Sequence, residues 1–450
     1  MSNRIKAFLF FLGDVAALYA SLFVMLVIHY RGAWYTQFIT LHAVPFSVVF
    51  AVWILVFYVA GLYDLRRLRN TIDFLKTLFA AIAIGTALAI ALFYAVPAFG
   101  ITPKTNLLIF VVIFTIVESA WRRLLNRLLA FGEAPHRVLF VGDGATKDEV
   151  LRTIRAHAQL GYAVAAEIDA KTAAEDPSAI LRAAKDHRAN LIVIPSTLKR
   201  DAPLAAVLYH LFSKGMLVSD LVNFYEVVMR KVPLDDLEEA WFLENIENVG
   251  QFYDPLKRAV EFALALALGI ILLPLELLIA VLVKLTSRGP VLIRQTRTGR
   301  LGRAFTLYKF RSMYALAPSG MAETHGAQWS SGANDPRVTP LGRVLRASHL
   351  DELPQFINLI RGDTSFVGPR PERPEIVDQL KAQIPFYEVR LLVTPGVTGW
   401  AQINHRADQG LEDVKEKLRY DVYYLKNRSL ALDIAIILRT LKTLFVNPEH

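Results

Sequence analysis

The sequence predicts three architectures in succession: an α-helical membrane bundle, an α/β domain with parallel strands, and a mostly helical α+β domain tied to the membrane by a re-entrant helix. Three observations carry this. Of the 450 residues, 54% are hydrophobic and 20% charged, above the roughly 45 to 50% apolar share of soluble domains. Apolar stretches approaching the about 20 residues that cross a bilayer core crowd into the first quarter of the chain and recur once at 260–283. Between them, short apolar runs alternate with helical patterns. The chain has no cysteine, which excludes disulfides, thiol nucleophiles, iron–sulfur clusters and cysteine zinc sites. Catalysis must therefore draw on carboxylates, His, Lys, Arg or a hard metal ion.

The bundle is read as four spans, at 7–28, 44–62, 77–99 and 106–121, the fourth being short. The first has no small-residue cleavage site after it and is read as a retained helix. Basic residues alternate by loop. Arg4 and Lys6 come first, Arg66, Arg67 and Arg69 follow the second span, and Arg122, Arg123 and Arg127 follow the fourth, whereas the intervening loops offer Arg31 and Lys104. This bias places both ends of the bundle, and everything after Arg122, in the cytoplasm. Asp14, near the end of its span, is read as hydrated at the interface. In the fifth apolar run Pro274 falls in the middle, with Lys257 and Arg258 before it and Lys284 and Arg288 after it. A straight crossing would carry the polar motifs that follow outside the cell, so a re-entrant helix broken at Pro274 is expected.

From 135 to 250 the runs Val138–Val141 and Leu191–Ile194 alternate with helical patterns such as Ala179–His187, as in a parallel α/β unit. Gly142-Asp143-Gly144 after the first strand, with Asp169 after the next, is half of a dinucleotide fingerprint whose third glycine is missing. A degenerate Rossmann-like scaffold is expected rather than a cofactor site. Tyr253 and Lys257 have reductase-like spacing but stand at the membrane edge, and the match is read as accidental. No nucleic-acid motif is present; the formal charge of +9 suits loops facing anionic lipid. The expected domains are 1–130, 131–250 and 251–450.

Chemistry concentrates between Gly289 and Asn447. Arg294, Gln295, Arg297, Gly299 and Gly302 lead into Lys309-Phe310-Arg311-Ser312-Met313, where cations beside a strand-like alternation can be aimed at a phosphate. Asp335-Pro336-Arg337 and Arg346 approach Leu350-Asp351-Glu352-Leu353-Pro354-Gln355. Pro354 suits the first turn of a helix, which puts Asp351 and Glu352 at its positive end. Adjacent carboxylates on an α-helix diverge by about 100°, so separate tasks suit them better than sharing a proton: one a nucleophile, the other a ligand for a hard ion such as magnesium. Taken alone, acids that merely complement a helix dipole are the commoner explanation of such a pair. In Gly368-Pro369-Arg370-Pro371-Glu372-Arg373-Pro374 the prolines fix the direction of Arg370, as in a phosphate clamp. Thr394-Pro395-Gly396-Val397-Thr398-Gly399-Trp400 is a second rigid turn, with Trp400 either at the lipid interface or in the core. The run 430–446, with Leu432, Ile436 and Leu441 apolar and Arg439 and Lys442 between, is expected to rest on the interface.

These motifs, in this order and spacing, resemble the bacterial polyprenyl-phosphate glycosyl-1-phosphate transferases of the large monotopic type. The resemblance covers nearly the whole chain. Arg373-Pro374-Glu375 and Tyr420 to Lys426 are most similar to exopolysaccharide-priming enzymes. It implies Asp351 as nucleophile, Glu352 as ligand of Mg2+, Arg346 and Arg370 as phosphate contacts, and Lys309 and Arg311 shaping the same phosphate-binding pocket. The implied donor is a UDP-sugar and the acceptor undecaprenyl phosphate in the bilayer of the bacterial inner membrane, with the catalytic domain on the cytoplasmic face; a homodimer is admitted. Glucose or galactose follows from resemblance alone. A membrane-bound nucleotide-sugar dehydratase would need an intact glycine fingerprint and a placed Tyr–Lys pair. A non-catalytic polysaccharide-assembly scaffold would not need Asp351, Glu352, Arg346 and Arg370 together.

Overall fold

A computed structural model of the chain describes residues 3–63, 72–96, 99, 105–131, 136–157, 160–246, 253–315, 337–405 and 410–446. Arg66, Arg67, Arg69, Lys104, Asp335 and Pro336 lie outside the described residues, as do the side chains of Arg4, Lys6, Leu441 and Lys442. The chain packs as two compact units, Met1–Met229 and Arg230–His450. It is mostly helical. Three helical stretches, Phe8–Ala60, Phe74–Ala95 and Tyr253–Thr286, are long and apolar enough to cross a membrane.

In the first unit, α1 (Asn3–Tyr30), α2 (Ala43–Ala60), α3 (Ile72–Ala95) and α4 (Thr105–Phe131) share one apolar core. The first membrane-length stretch contains both α1 and α2. On α2, Phe46, Phe50, Trp53 and Phe57 recur at helical spacing and meet Phe110 and Phe114 of α4, with Trp53 stacked 5.0 Å from Phe114 between ring centroids. Gly85 of α3 lets Trp53 in, since a Cβ there would fall 1.4 Å from the indole nitrogen. Asp14 is not hydrated at an interface, and Arg122 is not a loop charge. Both are fully buried, and the Arg122 guanidinium donates to Asp14, to Glu118 at 2.8 Å and to the Leu62 carbonyl at 2.6 Å. A charge inside such a bundle persists only when paired and hydrogen-bonded.

The rest of this unit is a parallel sheet in the order β2-β1-β3-β4, formed by β1 (His136–Val141), β2 (Tyr162–Ile168), β3 (Leu191–Ile194) and β4 (Leu217–Asp220). Side chains alternate across it. Val138, Phe140 and Val193 face α5 (Ala145–Ala156) and α8 (Leu221–Met229). Leu139, Val141, Ile192 and Ile194 face α6 (Ser178–Asp186) and α7 (Ala202–Ser213). Cover on both faces explains the unbroken apolar runs of β1 and β3. At the half-fingerprint, Asp143 accepts from the Ala170 amide at 2.9 Å, and Asp169 caps the following helix through the Thr172 amide at 2.8 Å.

The second unit begins earlier in the sequence than the boundary expected near 250. Residues 230–246 belong to it. The Trp400 indole donates to the Arg230 carbonyl at 2.9 Å, and Lys231 pairs with Glu416 at 2.6 Å. Trp400 is thereby placed in the core, at 3% exposure. The unit then runs through α9 (Tyr253–Thr286), the antiparallel hairpin β5 (Leu292–Thr298) and β6 (Ala304–Phe310), and α10 (Pro340–Ala347). A 3-10 segment, Leu350–Gln355, leads into α11 (Phe356–Arg361). Then come β7 (Ser365–Val367), paired in parallel with β8 (Gly396–Thr398), and the helices α12 (Pro374–Gln383), α13 (Leu411–Asn427) and α14 (Leu430–Val446). In α14, Leu432 and Ile436 pack into the core with Trp400 and Tyr424 rather than facing outward, because the adjoining helix α13 supplies the apolar surface they need.

Helix α9 is continuous over 34 residues, so the helix is not broken at Pro274 as the sequence led one to expect, and it is fastened to this unit at both ends. At its start Lys257 donates to the Val367 carbonyl at 2.7 Å and pairs with Asp433 at 2.8 Å. Arg258 donates to the Leu359 and Ile360 carbonyls, each at 2.6 Å, closing the end of α11. Glu261 accepts from the Ser365 hydroxyl at 2.6 Å. At its finish Ile279 and Val283 pack with Phe310, Leu345, Leu350 and Leu353. The opposite face exposes Ile270, Ile271, Leu277, Leu278, Val281 and Leu285.

The Arg122 knot makes a direct prediction. Arg122→Met strands two buried carboxylates and lowers stability by about 3 to 5 kcal/mol. Adding Asp14→Asn and Glu118→Gln recovers most of the loss, read as the thermal midpoint of the purified protein.

Candidate active site

Asp351 and Glu352 open the 3-10 segment between α10 and α11, so they diverge by about 120° rather than the 100° of an α-helix. The segment is set by its neighbours. Thr339 caps α10 by accepting from the Gly342 amide at 2.8 Å, and its own amide donates to the Ser312 carbonyl at 3.1 Å, which seats α10 on the end of the hairpin. His349 then takes a left-handed conformation, φ 56°, and turns the chain back so that the carboxylates face β6. Asn358, fully buried, locks that strand in place. Its amide donates to the Thr306 carbonyl at 2.6 Å and its oxygen accepts from the Tyr308 amide at 3.2 Å.

The cations converge here. Lys309 donates to Glu352 at 2.5 Å, and Arg370 stands 3.8 Å from the same oxygen. Arg346 donates through Nε to the Ser312 hydroxyl at 3.0 Å. Arg370 is aimed by its backbone. The Gly368 amide donates to the Thr398 carbonyl at 2.8 Å and the Gly396 amide to the Pro369 carbonyl at 2.9 Å. The two rigid turns of the sequence are thus one structure. Glycine is required where they cross, since a Cβ on Gly396 would lie 2.0 Å from the Gly368 nitrogen. Arg297 supports the turn by donating to the Pro371 carbonyl at 3.1 Å.

Arg311 is the exception among the expected pocket residues. It is 2% exposed and donates to the carbonyls of Val283 at 3.3 Å, Ser287 at 2.7 Å and Pro290. Its guanidinium closes the end of α9 and does not join the carboxylates. Strand β6 ends at Phe310, so the alternation that points Lys309 into the site no longer governs Arg311. Pro274 lies in the middle of α9, beside Leu275, which packs in the cluster that includes Leu350 and Leu353. Ser312 and His349 were given no role from sequence. Ser312 was discoverable from its place in Lys309–Met313, whereas nothing in the sequence marks the left-handed turn at His349.

The two carboxylates are electrically unlike. Burial raises the pKa of Asp351 above the ordinary aspartate range, with Glu352 adding to the rise while Lys309, Arg346 and His349 oppose it. Glu352 is also pushed up by burial, but Lys309 and Arg370 overcome that and hold it at about 2. Glu352 is therefore ionised throughout the physiological range, and Asp351 is the more basic oxygen nucleophile of the pair. No group of three or more metal-ligating side chains occurs among the described residues. The donors present fit a hard cation that completes its shell with substrate phosphate oxygens, as magnesium does with one or two carboxylates. Glu352 is the residue that would hold it.

Residues 252–447 match the family model described as "Bacterial sugar transferase". The chain is 41% identical over 219 residues to the UDP-N-acetylgalactosamine-undecaprenyl-phosphate N-acetylgalactosaminephosphotransferase of Aeromonas hydrophila, covering 49% of this chain and 50% of that one. It is 41% identical over 194 residues to the UDP-glucose:undecaprenyl-phosphate glucose-1-phosphate transferase of Escherichia coli K12, covering 43% and 40%. With the protein of the same name from Caulobacter vibrioides it shares 39% identity over 193 residues, 42% of this chain and 70% of the relative. The chain belongs to the bacterial sugar transferase family. It spans about half or less of the length of the first two relatives.

The Lys309–Glu352 pair predicts a stability profile. An unfolded glutamate titrates near about 4.3, and the folded one at about 2, so the pair's contribution is complete above the first value and lost as pH falls through the second. Lys309→Met removes the direct partner of the largely buried Glu352, leaving it only Arg370 at 3.8 Å, and destabilises by about 2 to 4 kcal/mol. Adding Glu352→Gln recovers most of it, and denaturant melts at pH 7 measure both.

Proposed function

We propose that the protein transfers a sugar 1-phosphate from a UDP-sugar to undecaprenyl phosphate, releasing UMP and forming undecaprenyl-diphosphate sugar, the first step of an exopolysaccharide or other surface glycan. The observation that carries this reading is the pairing of a buried, basic Asp351 with a permanently ionised Glu352 inside a ring of Lys309, Arg346 and Arg370. Both substrates are polyanions, and phosphoryl transfer depends on positioning and on charge placed where it develops. The names of the relatives, which specify undecaprenyl phosphate and UDP-sugars, support the substrate classes. They differ in the sugar, so the sugar itself is not assigned.

In the proposed route an Asp351 carboxylate oxygen attacks the phosphorus that bears the sugar. The bond from that phosphorus to the bridging oxygen breaks, and UMP departs with the electron pair. A phosphate oxygen of undecaprenyl phosphate then attacks the same phosphorus, and the Asp351 carboxylate leaves, regenerated. Lys309 holds Glu352 in place, while Arg346 and Arg370 neutralise the non-bridging oxygens. A magnesium ion, when bound, supplies Lewis-acid stabilisation of the departing phosphate.

The attachment of α9 to one polar unit at both ends supports a re-entrant placement, with that unit on the cytoplasmic face of the inner membrane. A straight helix of this length is about 50 Å long, more than the roughly 30 Å hydrocarbon core. A crossing would carry one set of anchoring residues away from the other. The parallel sheet of the first unit is read as a degenerate Rossmann-like scaffold. Asp143 and Asp169, the acids of its half-fingerprint, are both engaged in backbone capping.

Incubating the enzyme with donor alone should release UMP and leave a sugar-phosphate mass increment on the chain, which Asp351→Asn abolishes while remaining folded. A rate law requiring both substrates before any UMP appears, in active enzyme, would contradict the covalent route. The acid limb of kcat should lie above the ordinary aspartate range, because protonating Asp351 removes the nucleophile while Glu352 stays ionised. Glu352→Gln should lower the rate, weaken its dependence on added magnesium and move that limb downward, because the Glu352 charge adds to the rise at Asp351.

A further inference from the structure

A cleft of about 490 Å³ lined by charged side chains opens in the C-terminal unit between the tip of the β5–β6 hairpin, the first turns of α9 and the loop after α11. Asp351, Glu352, Lys309, Arg346 and Arg370 do not line it. Five cations line this cleft against three carboxylates. The inner ones are engaged. Lys257 pairs with Asp433, Arg258 closes α11, and Arg428 pairs with Asp254 at 2.9 Å. The two at the mouth are not neutralised in this way. Arg300 is half-exposed with its carboxylate, Asp254, 3.9 Å away. The Arg303 guanidinium is exposed and has no hydrogen-bond or ion-pair partner among the described residues.

Two further features point to a ligand. Thr364 lines the cleft at 2% exposure, and its hydroxyl has no hydrogen-bond partner among the described residues. A buried hydroxyl in that state is uncompensated until an acceptor arrives. The hairpin tip reads Arg300-Leu301-Gly302-Arg303, with Leu301 63% exposed and held at φ 55°, a conformation leucine disfavours. An apolar tip flanked by guanidinium groups matches the layering of a bilayer surface, acyl chains below and phosphates above. The cleft wall formed by α9 ends at Glu261, where the outer face of that helix becomes apolar with Val260, Phe262 and Leu264 exposed.

We propose that this cleft binds a phosphate-bearing anion through Arg300, Arg303 and the Thr364 hydroxyl, at a site distinct from the Asp351–Glu352 cluster. The proposal does not rest on the transferase reading. The phosphate is that of an anionic lipid headgroup or of a soluble nucleotide, and the two are separated by titration.

The absence of cysteine allows a single reporter. Ala304→Cys, an exposed cleft position, is labelled with an environment-sensitive fluorophore in the full-length protein in neutral detergent. It is titrated separately with phosphatidic acid, UMP, inorganic phosphate and, as the zwitterionic control, phosphatidylcholine. A saturable response to phosphatidic acid alone assigns the lipid source; a response to UMP or phosphate assigns the soluble one. In either case Arg300→Gln with Arg303→Gln should weaken binding by at least about tenfold, through loss of two charge-assisted contacts. Thr364→Val, which leaves the hairpin untouched, should weaken it about threefold, and Asp351→Asn should not change it. No saturable response to any of the anions, or the same affinity in the arginine and threonine variants as in the parent, would overturn the proposal.

Discussion

Everything in the C-terminal unit depends on how an apolar helix is fastened to a polar body. Lys257, Arg258 and Glu261 at one end of α9, and the backbone carbonyls captured by Arg311 at the other, bind the helix to the elements that carry the carboxylates. Those of Lys257, Arg258 and Arg311 are hydrogen bonds from charged groups to backbone carbonyls, the strong class, several of them at helix termini that would otherwise leave those carbonyls unsatisfied, while the Glu261 carboxylate accepts from the Ser365 hydroxyl. The apolar face of α9 is thereby left outward, and its packed face supports Leu350 and Leu353 on either side of Asp351 and Glu352. A helix long and apolar enough to cross a membrane thus also packs beneath the residues that flank the candidate carboxylates.

The electrostatics follow from that floor. Burial raises the pKa of both carboxylates, and neighbouring cations separate them again. Lys309 reaches Glu352 directly and holds it ionised, while Asp351 lacks so close a cation and keeps a basic oxygen. Two adjacent acids with different environments suit two tasks, the usual sign that their roles are distinct. The rigid crossing of Gly368 and Gly396 adds direction, fixing Arg370 without depending on a flexible loop.

Much of this was legible from sequence where the signal is local. Pro354 locates a helical start, the paired prolines around Arg370 locate a rigid turn, and strand alternation points Lys309 inward. What was not legible is non-local or turns on a single dihedral. Asp14 is buried because Arg122, 108 positions away, neutralises it, and no window of sequence contains both. Arg311 differs from Lys309 because the strand ends between them. The carboxylates stand on a 3-10 segment because His349 adopts a left-handed turn, which residue type does not announce. Leu432 and Ile436 on the terminal helix have the period of an interfacial face, yet they pack inward against Trp400 and Tyr424. Periodicity identifies an apolar face but not what covers it.

The proposed re-entrant placement requires α9 to enter and leave the same leaflet. Leu256, Ile271 and Leu285 are exposed at 52%, 69% and 77% along its length, and each can be replaced by the sole cysteine of the chain, spin-labelled and reconstituted in vesicles. Depth and sidedness are then read from lipid-soluble and membrane-impermeant relaxation agents. Position 271 should be deepest, with positions 256 and 285 shallow and reached from the same side. Labels at 256 and 285 reached from opposite sides, with depth passing through the bilayer centre between them, would contradict the account.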